Sequence, residues 1–295
     1  LYGKAKRREK VSLAGKTYDA VWLLAKYISL TLQDFENIQY LTFTTPETDV
    51  DMAKMLKGIG QHIGVDKEII NVQDYKESFC QYMIFQPKEL WQYESALFYC
   101  DEDRIKAYML RRLRVDASHG MNSFVTVDEV ANAQRKELEA LYPIMNKEKS
   151  PDESFKPMIE NVLEKKVISS VYLTGEGFEK NWYPNSLRVL CNGRRAFMGN
   201  NLYSKGACYK SIRKCEPNDD GPIYLDETKL TERICLRMRV DGQEGWYPLV
   251  TWGTHWYEAD GQWEVLLEDA SDIEILVESL VDEEVQVEKV SLEGL

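Results

Sequence analysis

Cysteine pairs at C-x2-C spacing are missing from this sequence. Its six thiols, Cys80, Cys100, Cys191, Cys208, Cys215 and Cys235, lie far apart, which excludes a zinc or redox site of that kind. Dispersed thiols in a chain of 295 residues imply reduced cysteines and a cytoplasmic protein. Histidine is scarcer. His62, His119 and His255 share no i,i+4 spacing, so no metal site is expected and each reads as a surface or capping residue. No apolar run reaches the roughly 20 residues of a membrane helix; the longest, "YDAVWLLAKYISLTL" (18–32), carries Asp19 and Lys26 inside it. Neither G-x-x-x-x-G-K-[ST] nor G-x-G-x-x-G occurs. No Ser/His/Asp or Cys/His order stands out, so no catalytic residue is expected. Basic residues almost vanish towards the C-terminus: 256–295 holds 13 acidic residues and one base, Lys289. Such a segment repels phosphates and argues against nucleic acid as a partner. The short basic clusters "KAKRREK" (4–10) and "RIKAYMLRRLR" (104–114) read as solvated faces.

What is present is a globular α/β pattern, with 44% hydrophobic and 11% aromatic residues. Val21, Leu24, Ala25, Ile28 and Leu32 recur at helical spacing. "IQYLTFTTP" reads as a buried strand ending at Pro46. "ETDVDMAKMLKGIGQHIGV" reads as a helix closed by Gly60 and Gly64. "EIINV" is a strand and "DYKESFCQYMIFQ" a helix. "ESALFYC" and "RIKAYMLRRLRV" are strands joined by the acidic turn Asp101–Glu102–Asp103. A helix is expected over "TVDEVANAQRKELEALYPIM", to about Pro143, and another over "SPDESFKPMIENVLEKK" with a Ser150/Glu153 capping box. The strand "VISSVYLTG", a helix around 184–192, the strand "RAFMG" and the helix "YSKGACYKSIRK" follow. Past the turn-rich "CEPNDDGP" (215–222), "ICLRMRV" alternates Ile234, Leu236, Met238 and Val240 inward with Cys235, Arg237 and Arg239 outward. "WYEADGQWEVLLED" reads as a hairpin about Asp260–Gly261, and "IEILVES" and "VQVEKVSL" supply further strands of a small antiparallel β domain.

Three features invite chemistry. Gly175–Glu176–Gly177 ends a strand, and a G-x-G before a helix can offer backbone amides to a nucleotide; a plain loop is the other reading. Asp101 and Asp103 could face Mg²⁺, or merely build a surface turn. Trp246, Tyr247, Trp252, Trp256, Tyr257 and Trp263 could form a ligand-stacking platform or the core of a small domain.

The run "VISSVYLTGEGFEKNWYPNSLRVLCNGRRAFMGNNLYSKGACYKSI" resembles the closing segment of the actin-like ATPase superfamily, in particular DnaK-type chaperones. Val171, Leu173 and Gly175 match its adenosine-side strand, and Gly206–Ala207–Cys208 its G-A-A. "YLTFTTPETDVDMAKMLKGIGQHIGV" resembles the unit that ends the first lobe, and "IINVQDYKESFCQYMIF" the segment that follows it. The likeness spans roughly 18–214 and extends to DnaK-like proteins of anaerobic Firmicutes. It implies an α/β fold of actin/DnaK-like (ribonuclease-H-like) lobes, the first incomplete, followed by a small antiparallel β domain. The implied boundaries are 1–93, 94–214 and 215–295. Gly175, Glu176, Gly177 and Gly206 would then be remnants of the nucleotide pocket.

The second phosphate loop of the superfamily, D-L-G-G-G-T, corresponds to "FYCDEDRIKAY" (98–108). Tyr99 stands where the metal-associated Asp belongs, no glycine is present, and Asp101 and Asp103 would repel phosphate. Each non-glycine forced into a left-handed cradle costs about 1–2 kcal/mol. The first phosphate loop would precede Leu1, so ATP and Mg²⁺ are expected only if a segment ahead of Leu1 supplies it. The implied role is a non-catalytic pseudo-ATPase scaffold with a protein partner. The alternatives are an ATP-hydrolysing chaperone-like protein and a carbohydrate- or peptide-binding C-terminal domain carrying Trp252, Trp256 and Trp263.

Overall fold

The computed structural model describes residues 1–101, 104–117, 120–134, 151–180, 182–216, 221–260, 263–266, 272–280 and 285–292. In chain order it begins α1 (Tyr2–Lys6), β1 (Lys10–Leu13), β2 (Lys16–Asp19), α2 (Ala20–Leu32), β3 (Leu41–Thr45), α3 (Val50–His62), β4 (Ile70–Asp74) and α4 (Tyr75–Ile84). The strands β5 (Glu94–Cys100), β6 (Arg104–Ala117) and β7 (Gly120–Gln134) follow, then α5 (Pro151–Leu163), β8 (Ile168–Thr174), α6 (Pro184–Leu190), β9 (Arg195–Met198) and α7 (Leu202–Cys215). Last come β10 (Ile223–Tyr224), β11 (Glu232–Val240), β12 (Gln243–Val250), β13 (Asp272–Ser279) and β14 (Val285–Ser291). Contacts divide the chain into two units, one of 1–85 with 201–219 and one of 86–200 with 220–295. Among the described residues no helix is long and apolar enough to cross a membrane.

In the first unit, aspartates start three helices. Asp19 accepts from Trp22 N at 2.9 Å, Asp49 from Met52 N at 2.8 Å and Asp74 from Glu77 N at 2.7 Å, each satisfying an orphan amide of the first turn. Helix α3 buries Met52, Ala53, Leu56, Ile59 and Gly60, a stripe at helical spacing. Gly64, at φ +95°, follows the end of α3. Gly60 does not terminate the helix as expected; it lies inside it, where a Cβ would come within 2.6 Å of the Ile70 side chain. Strands β3 and β4 pair in parallel, and β3 is only partly buried. Helices α4 and α7 cross closely. A Cβ on Gly206 would lie 1.9 Å from the Ser78 carbonyl oxygen. Around that crossing Lys210 pairs with the buried Glu77 at 2.6 Å, and Arg213 donates to Gln81 at 2.9 Å.

The second unit is built on a six-stranded sheet ordered β10-β7-β6-β5-β8-β9. Strands β5, β8 and β9 run parallel, and β6 is antiparallel to both β5 and β7. One face packs Phe98, Ala107, Met109 and Leu173 against Phe155, Met158 and Ile159 of α5. Asp152, 2% exposed, accepts from Asn185 N at 2.7 Å and Ser186 N at 2.8 Å. The carboxylate of one helix thus caps the start of the next, α6.

The helix expected from Thr126 is a strand as far as Gln134; residues 135–143, and Ser150 of the expected capping box, lie outside the described residues. Strand β7 pairs along its length with β6, and a register shift between Ala107 and Tyr108 leaves Val130 as the extra residue. That bulge breaks the two-residue alternation and produces apolar spacing that looks helical. The turn-rich linker leads into β10, which joins the six-stranded sheet in parallel with β7.

Strands β1 and β2 pair as a separate two-stranded sheet, and β11 to β14 form an antiparallel sheet ordered β12-β11-β13-β14. Its alternation departs from expectation at two residues: Cys235 is buried beside Leu236, and Val240 is exposed. The register shift opposite Ile234 and Cys235 leaves Leu249 of β12 as the extra residue. The hairpin expected about Asp260 is not formed by its first arm. Trp256–Glu258 is a single 3-10 turn, held by Trp256 N donating to Thr228 O and Glu258 N to His255 O; Gly261 lies outside the described residues. His255, expected as a surface or capping residue, is buried at the N-cap position of that turn without a side-chain cap bond; it is bonded through Nδ1 to Thr228 Oγ1 at 2.9 Å and stacked on Tyr257. His62 is exposed in the last turn of α3, and His119 lies outside the described residues.

Candidate functional site

In an open α/β sheet, ligands bind beyond the carboxyl ends of parallel strands where the strand order reverses. Here the chain proceeds from β5 to β6 and β7 on one side, then returns to β8 and β9 on the other. The reversal therefore falls between β5 and β8, where Tyr99 pairs with Thr174. The segments Tyr99–Cys100–Asp101 and Gly175–Glu176–Gly177 leave the sheet side by side at that point. Two of the predicted clusters thus meet in one place. Asp103 lies outside the described residues.

The geometry answers what the two glycines do. Gly175 has φ +102° and ψ 153°, a region essentially restricted to glycine. A Cβ on it would stand 2.2 Å from the Cys100 carbonyl oxygen. On Gly177 it would stand 2.3 Å from Cys100 Sγ and 2.7 Å from the Asp101 carbonyl oxygen. The missing side chains allow two strand ends to touch. Behind the turn, Phe178 N donates to Gly175 O at 3.1 Å, and Trp182 Nε1 donates to Gly177 O at 2.7 Å. Phe178 and Trp182 stack on each other and tilt against Phe155, and Tyr183 meets Phe178 edge-on. Burial pushes the Tyr183 phenol above its ordinary range, and its hydroxyl donates to Phe178 O at 3.3 Å.

On the acidic side Asp101 and Arg104 bond to each other. Asp101 N donates to Arg104 O at 3.1 Å, and Asp101 Oδ1 accepts from Arg104 N at 2.6 Å. Glu176 is exposed and Tyr99 partly buried. Among the described residues, no group of three or more His, Cys, Asp or Glu side chains is placed to hold a metal ion. Gly206 belongs to the first unit, where it seats α7 against Ser78.

The tryptophans divide. Trp252 packs with Phe124, Leu225 and Leu280, lies 4.3 Å beneath the Arg233 guanidinium, and donates from Nε1 to Glu278 O at 3.2 Å. Trp256 and Trp263 are 59% and 58% exposed. Sequence reasoning passes over a cavity at the opposite end of β5, into which the basic run 104–114 delivers Arg111 and Arg112. The available signal is a pair of successive arginines, Arg111 and Arg112, inside a partly apolar strand.

No curated protein matches the chain. A domain of unknown function, DUF8552, matches residues 229–295, beginning just before β11. A family of unknown function, DUF5716 C-terminal, matches residues 1–227, both units' α/β elements included. By that match the chain belongs to the DUF5716 family.

Proposed function

We propose that this chain is a non-catalytic scaffold of actin/DnaK-like ancestry, working in the cytoplasm through a protein partner. The carrying observation is the contact of Gly175 and Gly177 with Cys100 and Asp101. A phosphate cradle needs backbone amides turned towards an open space. Here the glycines are used to close two strand ends against each other, and the neighbouring carboxylate of Asp101 is taken up by the Arg104 amide. The strand order β7-β6-β5-β8-β9, with only β6 reversed, supports the ribonuclease-H-like part of this reading.

Exposed aromatic and aliphatic side chains support a protein partner. Trp22, Tyr27 and Leu30 stand outward from α2, and Trp256, Trp263 and Leu266 from the C-terminal part. Apolar groups collected on a surface mark contact sites more often than chance exposure does. The exposure of Trp256 and Trp263 also favours a peptide- or carbohydrate-stacking role there, though Trp252 is engaged in packing.

A phosphate-release assay with ATP·Mg²⁺ tests the non-catalytic reading. The expected result is release at the buffer rate. Saturable, Mg²⁺-dependent turnover would restore the chaperone-like ATPase as the better account.

A further inference from the structure

A cavity of about 400 Å³ opens where β5 and β8 begin, lined by Tyr93, Glu94, Arg111, Arg112, Lys166 and Val167 among others. Strand β5 runs seven residues from Glu94 to Cys100, so this cavity lies roughly 20 Å from the glycine turn at 3.3 Å per residue. Its volume suits a small molecule. Its charge is unusual in a protein of net charge −12. Lys165 joins Arg111, Arg112 and Lys166 on the lining, giving four bases against one acid, Glu94.

Arg111 is already neutralised, bonded through Nε to Glu94 at 3.0 Å and through Nη1 to Asp128. Lys165 has the exposed Glu164 beside it, at 3.3 Å. Arg112 differs. Its guanidinium lies 5.3 Å above the ring of buried Trp91, Nη2 reaches Ser123 Oγ at 3.3 Å, and Nε is buried without a bonding partner among the described residues. Lys166 Nζ reaches a backbone carbonyl, Val162 O, at 2.5 Å. Neither cation has a carboxylate partner among the described residues. A partly desolvated guanidinium without a counter-charge is costly, and its planar fork fits a phosphoryl group through two parallel bonds. Tyr93 and Val167 add an apolar wall for a body attached to that group.

We propose that this cavity binds a small molecule carrying a phosphoryl group, with Arg112 and Lys166 holding the anion and Tyr93 flanking the remainder. Isothermal titration of the full chain with phenyl phosphate, inorganic phosphate and benzoate tests it. Phenyl phosphate should bind at one site with a dissociation constant below about 1 mM. Binding should weaken about tenfold or more in each of Arg112→Gln and Lys166→Gln, and stay unchanged in Lys156→Gln, an exposed helix lysine. Weaker inorganic phosphate identifies an organic phosphate as the ligand type, equal affinity identifies free phosphate, and either supports the anion site. Near-ultraviolet circular dichroism checks that each variant keeps its packing; Lys166→Gln alone decides the outcome if Arg112→Gln does not fold. Absence of saturable binding, benzoate binding as tightly as phenyl phosphate, or a folded Lys166→Gln that binds like the parent would overturn the proposal. None of the three probes contains adenosine, so the result is separate from that of ATP turnover.

Discussion

Gly175 faces the carbonyl oxygen of Cys100 so closely that a Cβ would lie 2.2 Å from it. Replacing it introduces both a clash with backbone and a φ of +102° that a side chain resists. Gly175→Ala is expected to lower unfolding stability by about 2–4 kcal/mol. Urea denaturation with an unchanged m-value checks it. A loss under about 0.5 kcal/mol would mean the two strand ends are not in contact.

Gly58 is the contrasting case. It lies on the exposed face of α3, and a methyl group added there would meet nothing within 4 Å. Gly58→Ala should therefore stabilise by about 0.5–1 kcal/mol through helix propensity. Gly206→Ala should do the opposite, because α7 meets the Ser78 backbone there. A pair of thermal melts compares them, and opposite shifts in Tm are expected.

Trp252 and Trp256 should separate packing from surface. Trp252→Ala removes a ring held by Arg233 and Glu278 and is expected to cost about 3 kcal/mol. Trp256→Ala, at 59% exposure, should change stability by less than about 0.5 kcal/mol. Equal effects in denaturant titrations would show that the two rings share one environment.

Acid should weaken the fold partly through Asp49. The Met52 amide, then the Lys6 ammonium at 3.3 Å, hold its carboxyl below the ordinary range. A depressed folded value means the stabilisation is fully present above the unfolded value of about 3.9 and is lost as pH falls through the folded one. Asp49→Asn keeps a cap acceptor but cannot titrate, so its urea midpoint should fall less between pH 5 and pH 3 than the parent's, a range set roughly by that same value. Parallel slopes would rule Asp49 out as a contributor.

Local chemistry is legible in the sequence wherever it is decided locally. Asp19 and Asp49 precede apolar residues at helical spacing, and helices form there. Strand β7 reads as a helix because its extra residue, Val130, exists only in relation to the partner strand β6. The glycine turn stands out as special, but its purpose depends on Cys100, about 75 residues earlier and adjacent only through strand pairing. The same limit hides the basic cavity. Arg112 and Lys166 line one cavity only because β6 and β8 flank β5.

The most direct test of the closed glycine turn is an amide-detected nuclear magnetic resonance titration of the full chain with ATP·Mg²⁺. The account predicts that the amides of 99–101 and 175–177 keep their positions throughout. Saturating shifts at those amides, with a micromolar midpoint, would contradict it.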